Sequence, residues 1–201
     1  MLLTTPKGTV IHTTYNMISV DCPWPESGGH RKGAPDHYPT VPYQLMPVVV
    51  RAQILWKPDP MGALVFLWTT ITSCERTYWL ARVLGLLPVS KLYWLKDRGG
   101  QLGLGQYTRH DMEEVIVCRL GTVPVPRLQE SDVVVAPVRK HSEKPSEMYE
   151  LFGRMGEASG LYRRAELFAR DVRPGWHVCG EGIDGKQHGV TTQGQLWKET
   201  K

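Results

Sequence analysis

The chain has 201 residues, 41% of them apolar and 22% charged, with 24 Lys or Arg against 20 Asp or Glu. That is the balance of an ordinary globular chain with enough length to bury one good core. No apolar run is long enough to span a bilayer and no charged-then-apolar leader opens the sequence, so the expectation is a single domain over residues 1–185, a polar tail over 186–201, and residence in the cytoplasm.

Taken in chain order, β-branched and aromatic residues cluster in short runs that predict strands near Tyr15–Val20, Ala63–Trp68, Val89–Leu95, Glu114–Arg119, Val133–Val135, Arg164–Phe168 and His177–Cys179. Between them the pattern predicts helices near Tyr43–Leu55, Ser73–Leu84 and Ser146–Met155. Such alternation implies an α/β sandwich around a mostly parallel sheet, with ligands at the carboxyl ends of the strands. The stretch Arg98–Gln106 is glycine-rich but lacks the strand-loop-helix frame of a phosphate cradle, and is read as a mobile loop over the site. No Gly-x-Gly-x-x-Gly follows a strand, which disfavours a dinucleotide fold.

The four cysteines, Cys22, Cys74, Cys118 and Cys179, stand far apart, so neither a zinc site nor a disulfide framework is expected, and no metal is called for. Residues 51–100 carry seven Lys or Arg against three Asp or Glu, while residues 101–150 carry six against eight. A basic surface on the first stretch suits phosphate contacts.

The most informative feature is Asp21-Cys22-Pro23-Trp24, directly after the apolar run Met17–Val20, where a buried strand would end. An exocyclic amine on a nucleobase is a poor nucleophile, because its lone pair is delocalised into the ring. A carboxylate and a main-chain carbonyl beside a proline can accept both amine hydrogens and stabilise the charge that develops on nitrogen. Trp24 would then stack on a base taken out of its helix. For these four residues alone, an ordinary strand-to-loop turn is the commoner reading.

Further motifs follow: the glycine-rich basic loop Pro25–Thr40, then Leu64–Thr70, Leu92–Lys96, Arg109–Glu113, His141–Pro145, Glu166–Arg170 and Arg173–Trp176. In this order they resemble the adenine methyltransferase family named for the 70-kDa subunit of the messenger-RNA adenosine methyltransferase, most closely its short bacteriophage members. The resemblance covers roughly residues 16 to 185. It implies a Rossmann-like methyltransferase sandwich of permuted motif order, the catalytic tetrapeptide preceding the cofactor segments, with S-adenosyl-L-methionine as methyl donor. It further implies that Asp21 and the Cys22 carbonyl accept the hydrogens of the 6-amino group of a flipped adenine, and that Pro23 and Trp24 complete the motif. Tyr38 would close the pocket, and Trp68, Trp94, Lys96, Arg109 and Glu113 would border the substrate. Lys144 would meet the methionine carboxylate of the cofactor, Arg170 the ribose, and Glu181 would stand where the family has Asn.

Two departures matter. Cys22 replaces the usual proline, which loosens the loop but keeps the carbonyl, and Glu181 accepts from ribose hydroxyls but cannot donate as Asn does. The substrate expected from the phage-like loop Gly33–Tyr38 is adenine in DNA, methylated without a covalent enzyme intermediate. RNA adenine, or a noncatalytic nucleic-acid-binding subunit, is the alternative. With so little chain outside the catalytic fold, a homodimer or partner subunit is expected to extend the footprint.

Overall fold

The structure is a computed structural model, and it describes residues 2–4, 10–12, 14–25, 40–103, 107–139 and 143–180. Two short strands, β1 (Leu2–Thr4) and β2 (Val10–His12), form an antiparallel ribbon that the sequence pattern did not announce. The main sheet has seven strands in the order β7-β5-β6-β4-β3-β8-β9. These are β3 (Met17–Val20), β4 (Gly62–Thr69), β5 (Leu87–Asp97), β6 (Met112–Gly121), β7 (Val133–Pro137), β8 (Arg164–Leu167) and β9 (His177–Cys179). Pairings of β3 with β4 and β8, of β5 with β7, and of β8 with β9 are parallel, whereas β6 runs antiparallel to both β4 and β5. The sheet is therefore mixed and mostly parallel.

Side-chain alternation along β3 sorts the core into two layers. Ile18 and Val20 face helices α1 (Met46–Ala52) and α2 (Cys74–Val83), packing with Met46, Val50 and Leu80. Met17 points the other way, into the layer under α3 (Ser146–Ala158), with Phe66, Met148 and Phe152. All eight residues of β4 are buried, the signature of a central strand covered on both faces. On the α3 side, Phe66 and Phe152 stack with centroids 4.0 Å apart, and Gly156 lets the helix sit directly on Met17, since a Cβ there would collide with the Met17 sulfur.

The expected helix over Tyr43–Leu55 is divided: a 3-10 turn, Tyr43–Leu45, precedes α1. Pro47 is the reason, because it has no N–H to give the carbonyl four residues back and is accommodated in the first turn of a helix that begins at Met46. The helix stops where Gln53 turns extended.

The connectivity positions the site. From β3 the chain moves outward through β4 to β6, β5 and the edge strand β7, then returns through α3 to β8 on the opposite flank of β3. The carboxyl end of β3 is thus the point where the strand order reverses, and open α/β sheets leave a crevice there. Asp21 is the first residue beyond that end. Among the described residues, no helix is long and apolar enough to cross a membrane.

Candidate active site

Asp21 emerges between β4 and β8, its amide 3.5 Å from the Leu167 carbonyl. The chain then turns tightly: the Trp24 N–H donates to the Cys22 carbonyl at 2.8 Å, and the Val41 N–H donates to the Pro23 carbonyl at 3.0 Å. A carbonyl has two lone pairs, so Cys22 retains one for a second donor. The Cys22 thiol is pushed well up, first by burial and then by the Asp21 charge; it stays neutral and offers no nucleophile.

Trp24, expected to stack on a base, is largely buried. Its ring is 7% exposed and belongs to the core formed with Val41, Met46 and Val50, so it is turned inward beneath α1 rather than presented to a base. Its indole Nε1 is buried without a hydrogen-bond partner among the described residues. An indole at a strand end gains more from burial of its large apolar surface than from exposure.

Four charges alternate across the mouth of the crevice. Lys144 Nζ lies 3.3 Å from Asp21 Oδ2 and 2.7 Å from Glu113 Oε2, and Lys96 Nζ lies 2.6 Å from Glu113 Oε1. Lys144 enters from the residue before Pro145, the N-cap of α3, while Glu113 and Lys96 come from β6 and β5. Burial works against ionised Glu113, but Lys144 and Lys96 together outweigh it and hold its carboxyl at about 2. Burial equally opposes charged Lys144, and the Asp21 and Glu113 carboxylates reverse the balance, raising its pKa. Asp21 goes up: burial dominates, Lys144 opposes it, and Glu113 adds to it.

Trp68 and Trp94, expected at the substrate face, form the floor behind these cations. Lys144 lies 4.9 Å from the Trp68 ring centroid and Lys96 lies 5.0 Å from that of Trp94. Both indoles are almost fully buried, and their N–H groups are already used, by Ser19 Oγ at 3.2 Å and the Ala136 carbonyl at 2.9 Å. Among the described residues, the core and the lysines cover both rings. Arg109 is exposed on the loop that leads into β6 and is not among the residues lining the crevice. Tyr38 and Glu181 lie outside the described residues, as do residues 104–106 of the glycine-rich loop. The base of that loop is fastened by the Gly103 N–H on Asp111 Oδ1 at 2.9 Å.

Beside Asp21 an open, shallow depression is bordered by Lys144, Glu166, Arg170, Asp171 and Arg173. Phe168, also on its wall, has φ 60°, a left-handed conformation rare for an aromatic residue and of a kind that concentrates at ligand sites. Sequence reasoning missed the chain of buried polar groups behind this wall. Trp68 donates to Ser19, Ser19 Oγ donates to the Tyr149 hydroxyl at 3.3 Å, and that hydroxyl donates to Glu166 Oε1 at 2.6 Å. Arg173 Nε donates to Glu166 Oε2 at 3.0 Å, and its guanidinium lies 3.4 Å from the Tyr149 ring centroid. Burial raises the Glu166 pKa, with Arg173 opposing. The available signal was a glutamate between Ala165 and Leu167 in a short strand, a residue type almost never buried unless paired.

The sequence profile of the MT-A70 family matches residues 15–182. This chain belongs to the MT-A70 family. It is 27% identical over 179 residues to an N(6)-adenosine-methyltransferase MT-A70-like protein of Arabidopsis thaliana, covering 86% of this chain and 24% of that one. A probable N(6)-adenosine-methyltransferase MT-A70-like protein of Oryza sativa subsp. japonica is 32% identical over 129 residues, 61% of this chain and 18% of its own length. The human N(6)-adenosine-methyltransferase catalytic subunit METTL3 is 31% identical over 130 residues, 60% of this chain and 22% of its own. The chain thus spans about a quarter or less of these relatives. The fold is the α/β sandwich of S-adenosyl-L-methionine-dependent methyltransferases, and that molecule is the family's methyl donor. The depression suits such a cofactor: Lys144 offers a cation for a carboxylate, Arg170 offers donors for ribose hydroxyls, and Glu166 and Asp171 offer acceptors for an ammonium group and hydroxyls.

Proposed function

We propose that this MT-A70 chain methylates the exocyclic 6-amino group of adenine in a nucleic acid. The observation that carries this reading is Asp21 at the switch point of the sheet, on the rim of a depression that also holds Lys144 and Arg170. S-adenosyl-L-methionine, when bound, supplies an electrophilic methyl group. Asp21 and the second lone pair of the Cys22 carbonyl accept hydrogen bonds from the two amine N–H groups, favouring a pyramidal nitrogen and stabilising the charge that develops on it until one proton is released, to the Asp21 carboxylate or to water. Lys144 and Arg170 hold the cofactor's anionic and hydroxyl groups, and Tyr38 and Glu181 retain the pocket and ribose roles that the family resemblance gives them. One domain over residues 1–185, acting in the cytoplasm with a second copy or a partner subunit, completes the proposal.

The loop Gly33–Tyr38 supports DNA as the substrate. RNA is the second reading, favoured by the description of the relatives as adenosine methyltransferases. Labelled S-adenosyl-L-methionine offered with separate DNA and RNA pools distinguishes them. Label in DNA supports the first reading, and label in RNA alone overturns it while leaving methyl transfer intact. No label in either pool overturns the enzyme.

A further inference from the structure

Lys144 stands between two carboxylates and does not treat them alike. It is 2.7 Å from Glu113 and 3.3 Å from Asp21, and lies 4.9 Å from the Trp68 ring centroid. Glu113 is itself anchored by Lys96 on its other oxygen, so it cannot follow Lys144 if Lys144 swings toward Asp21. An ammonium seated on Asp21 would occupy the lone pairs that must accept amine hydrogens. It would also cancel the negative charge that makes the carboxylate a good acceptor.

Building on the proposed reaction, we infer that Glu113 is a positioning residue: by drawing Lys144 to its own carboxylate at 2.7 Å it holds the Lys144–Asp21 contact long, at 3.3 Å, so that Asp21 keeps lone pairs for the adenine amine. Glu113 then acts through Lys144 rather than by touching the substrate, and its charge affects turnover more than cofactor binding. The charged groups beside Asp21 are Glu143 and Lys144 from the entry to α3, Glu113 from β6, Glu166 from β8, and Arg170, Asp171 and Arg173 from the turn after it. Among these, Glu113 raises the proton affinity of Asp21 while Lys144 and Arg170 lower it. Transfer needs ionised Asp21, so the acid limb of the rate profile follows this group. Neutralising Glu113 both removes a contribution that raises Asp21 and lets Lys144 approach, and the two effects have the same sign.

The test is Glu113→Gln, with turnover followed against pH and S-adenosyl-L-methionine binding followed by calorimetry. Turnover at pH 8 falls about ten-fold or more. The acid limb moves to lower pH, and the cofactor dissociation constant stays within about three-fold of wild type or tightens, since Lys144 has lost one competing carboxylate. Glu113→Asp, which keeps the charge on a shorter stem, gives an intermediate loss and a smaller displacement of the limb, and serves alone if the glutamine variant does not fold. Cofactor affinity and turnover falling together, an acid limb that stays in place or moves upward, or full turnover in Glu113→Gln each overturns the inference while the methyltransferase reading stands. A wild-type chain that neither binds cofactor nor transfers methyl overturns that reading and this inference with it.

Discussion

Replacing Lys144 by methionine isolates the electrostatics of the site, because the new side chain fills similar space without the charge. At an effective dielectric of about 20, the contacts of 2.7 Å to Glu113 and 3.3 Å to Asp21 correspond to roughly 6 and roughly 5 kcal/mol of gross attraction. Desolvation of the three ions offsets several kcal/mol for each. Removing one partner of a buried pair leaves the other charge uncompensated, and the expected net loss is about 3–5 kcal/mol, against a total stability of about 5–15 kcal/mol. For a chain of this length that lowers the melting temperature by roughly 6–20 °C.

The pH dependence has a definite sign. In the wild type Glu113 is held at about 2, so its stabilisation is present above its unfolded value and disappears only as the pH falls through about 2. In Lys144→Met the largest lowering contribution on both Glu113 and Asp21 is gone, and their folded-state pKa values rise. Protonation then relieves the repulsion, so the deficit relative to wild type shrinks between pH 7.5 and pH 5. Thermal and urea unfolding at the two pH values measures it. Melting within about 2 °C of wild type at pH 7.5, or a deficit that does not change with pH, refutes the electrostatic account of the four-charge chain.

Arg170→Ala removes a charge from the wall of the depression and weakens S-adenosyl-L-methionine binding by about 1.5–3 kcal/mol in calorimetry, with nucleic-acid affinity in a filter-binding assay little changed. Cys22→Pro keeps or raises turnover, because the described hydrogen bonds use the carbonyl of residue 22 and not its amide; a large loss with an intact fold would reveal a role for the thiol. Gly156→Ala drives a Cβ into Met17 and the Leu161 carbonyl. The overpacking costs about 1–3 kcal/mol, which exceeds the helix-propensity gain of about 1 kcal/mol and appears as a lower urea midpoint at unchanged slope.

Where local pattern suffices, the sequence is legible. The clusters of β-branched and aromatic residues locate every strand of the main sheet, and the end of β3 locates Asp21 at its carboxyl edge. Apolar pattern alone overextends the early helix, because Pro47 marks a start inside the run rather than continuing it. Trp24, Trp68 and Trp94 are ambiguous in the sequence because an amphipathic indole at a strand end or within a strand can serve a ligand or a core, and composition does not say which. Contacts between distant residues are out of reach: Lys144 meets Asp21 from 123 positions away, and Ser19 meets Tyr149 from 130. The resemblance brings Lys144 to the cofactor, while its pairing with Glu113 and Asp21 depends on how β6 and α3 converge at the switch point.

The central claim is that Asp21 accepts from an adenine amine during methyl transfer, and nucleoside mass spectrometry of methylated product from wild type and Asp21→Ala tests it most directly. N6-methylated adenine is expected from the wild-type chain, and Asp21→Ala is expected to lower the rate by a factor of about 100 to 1,000 or more, with the fold and cofactor affinity of the variant preserved. More than about half of the wild-type rate in Asp21→Ala, or methyl groups found on another base or another atom, would contradict it.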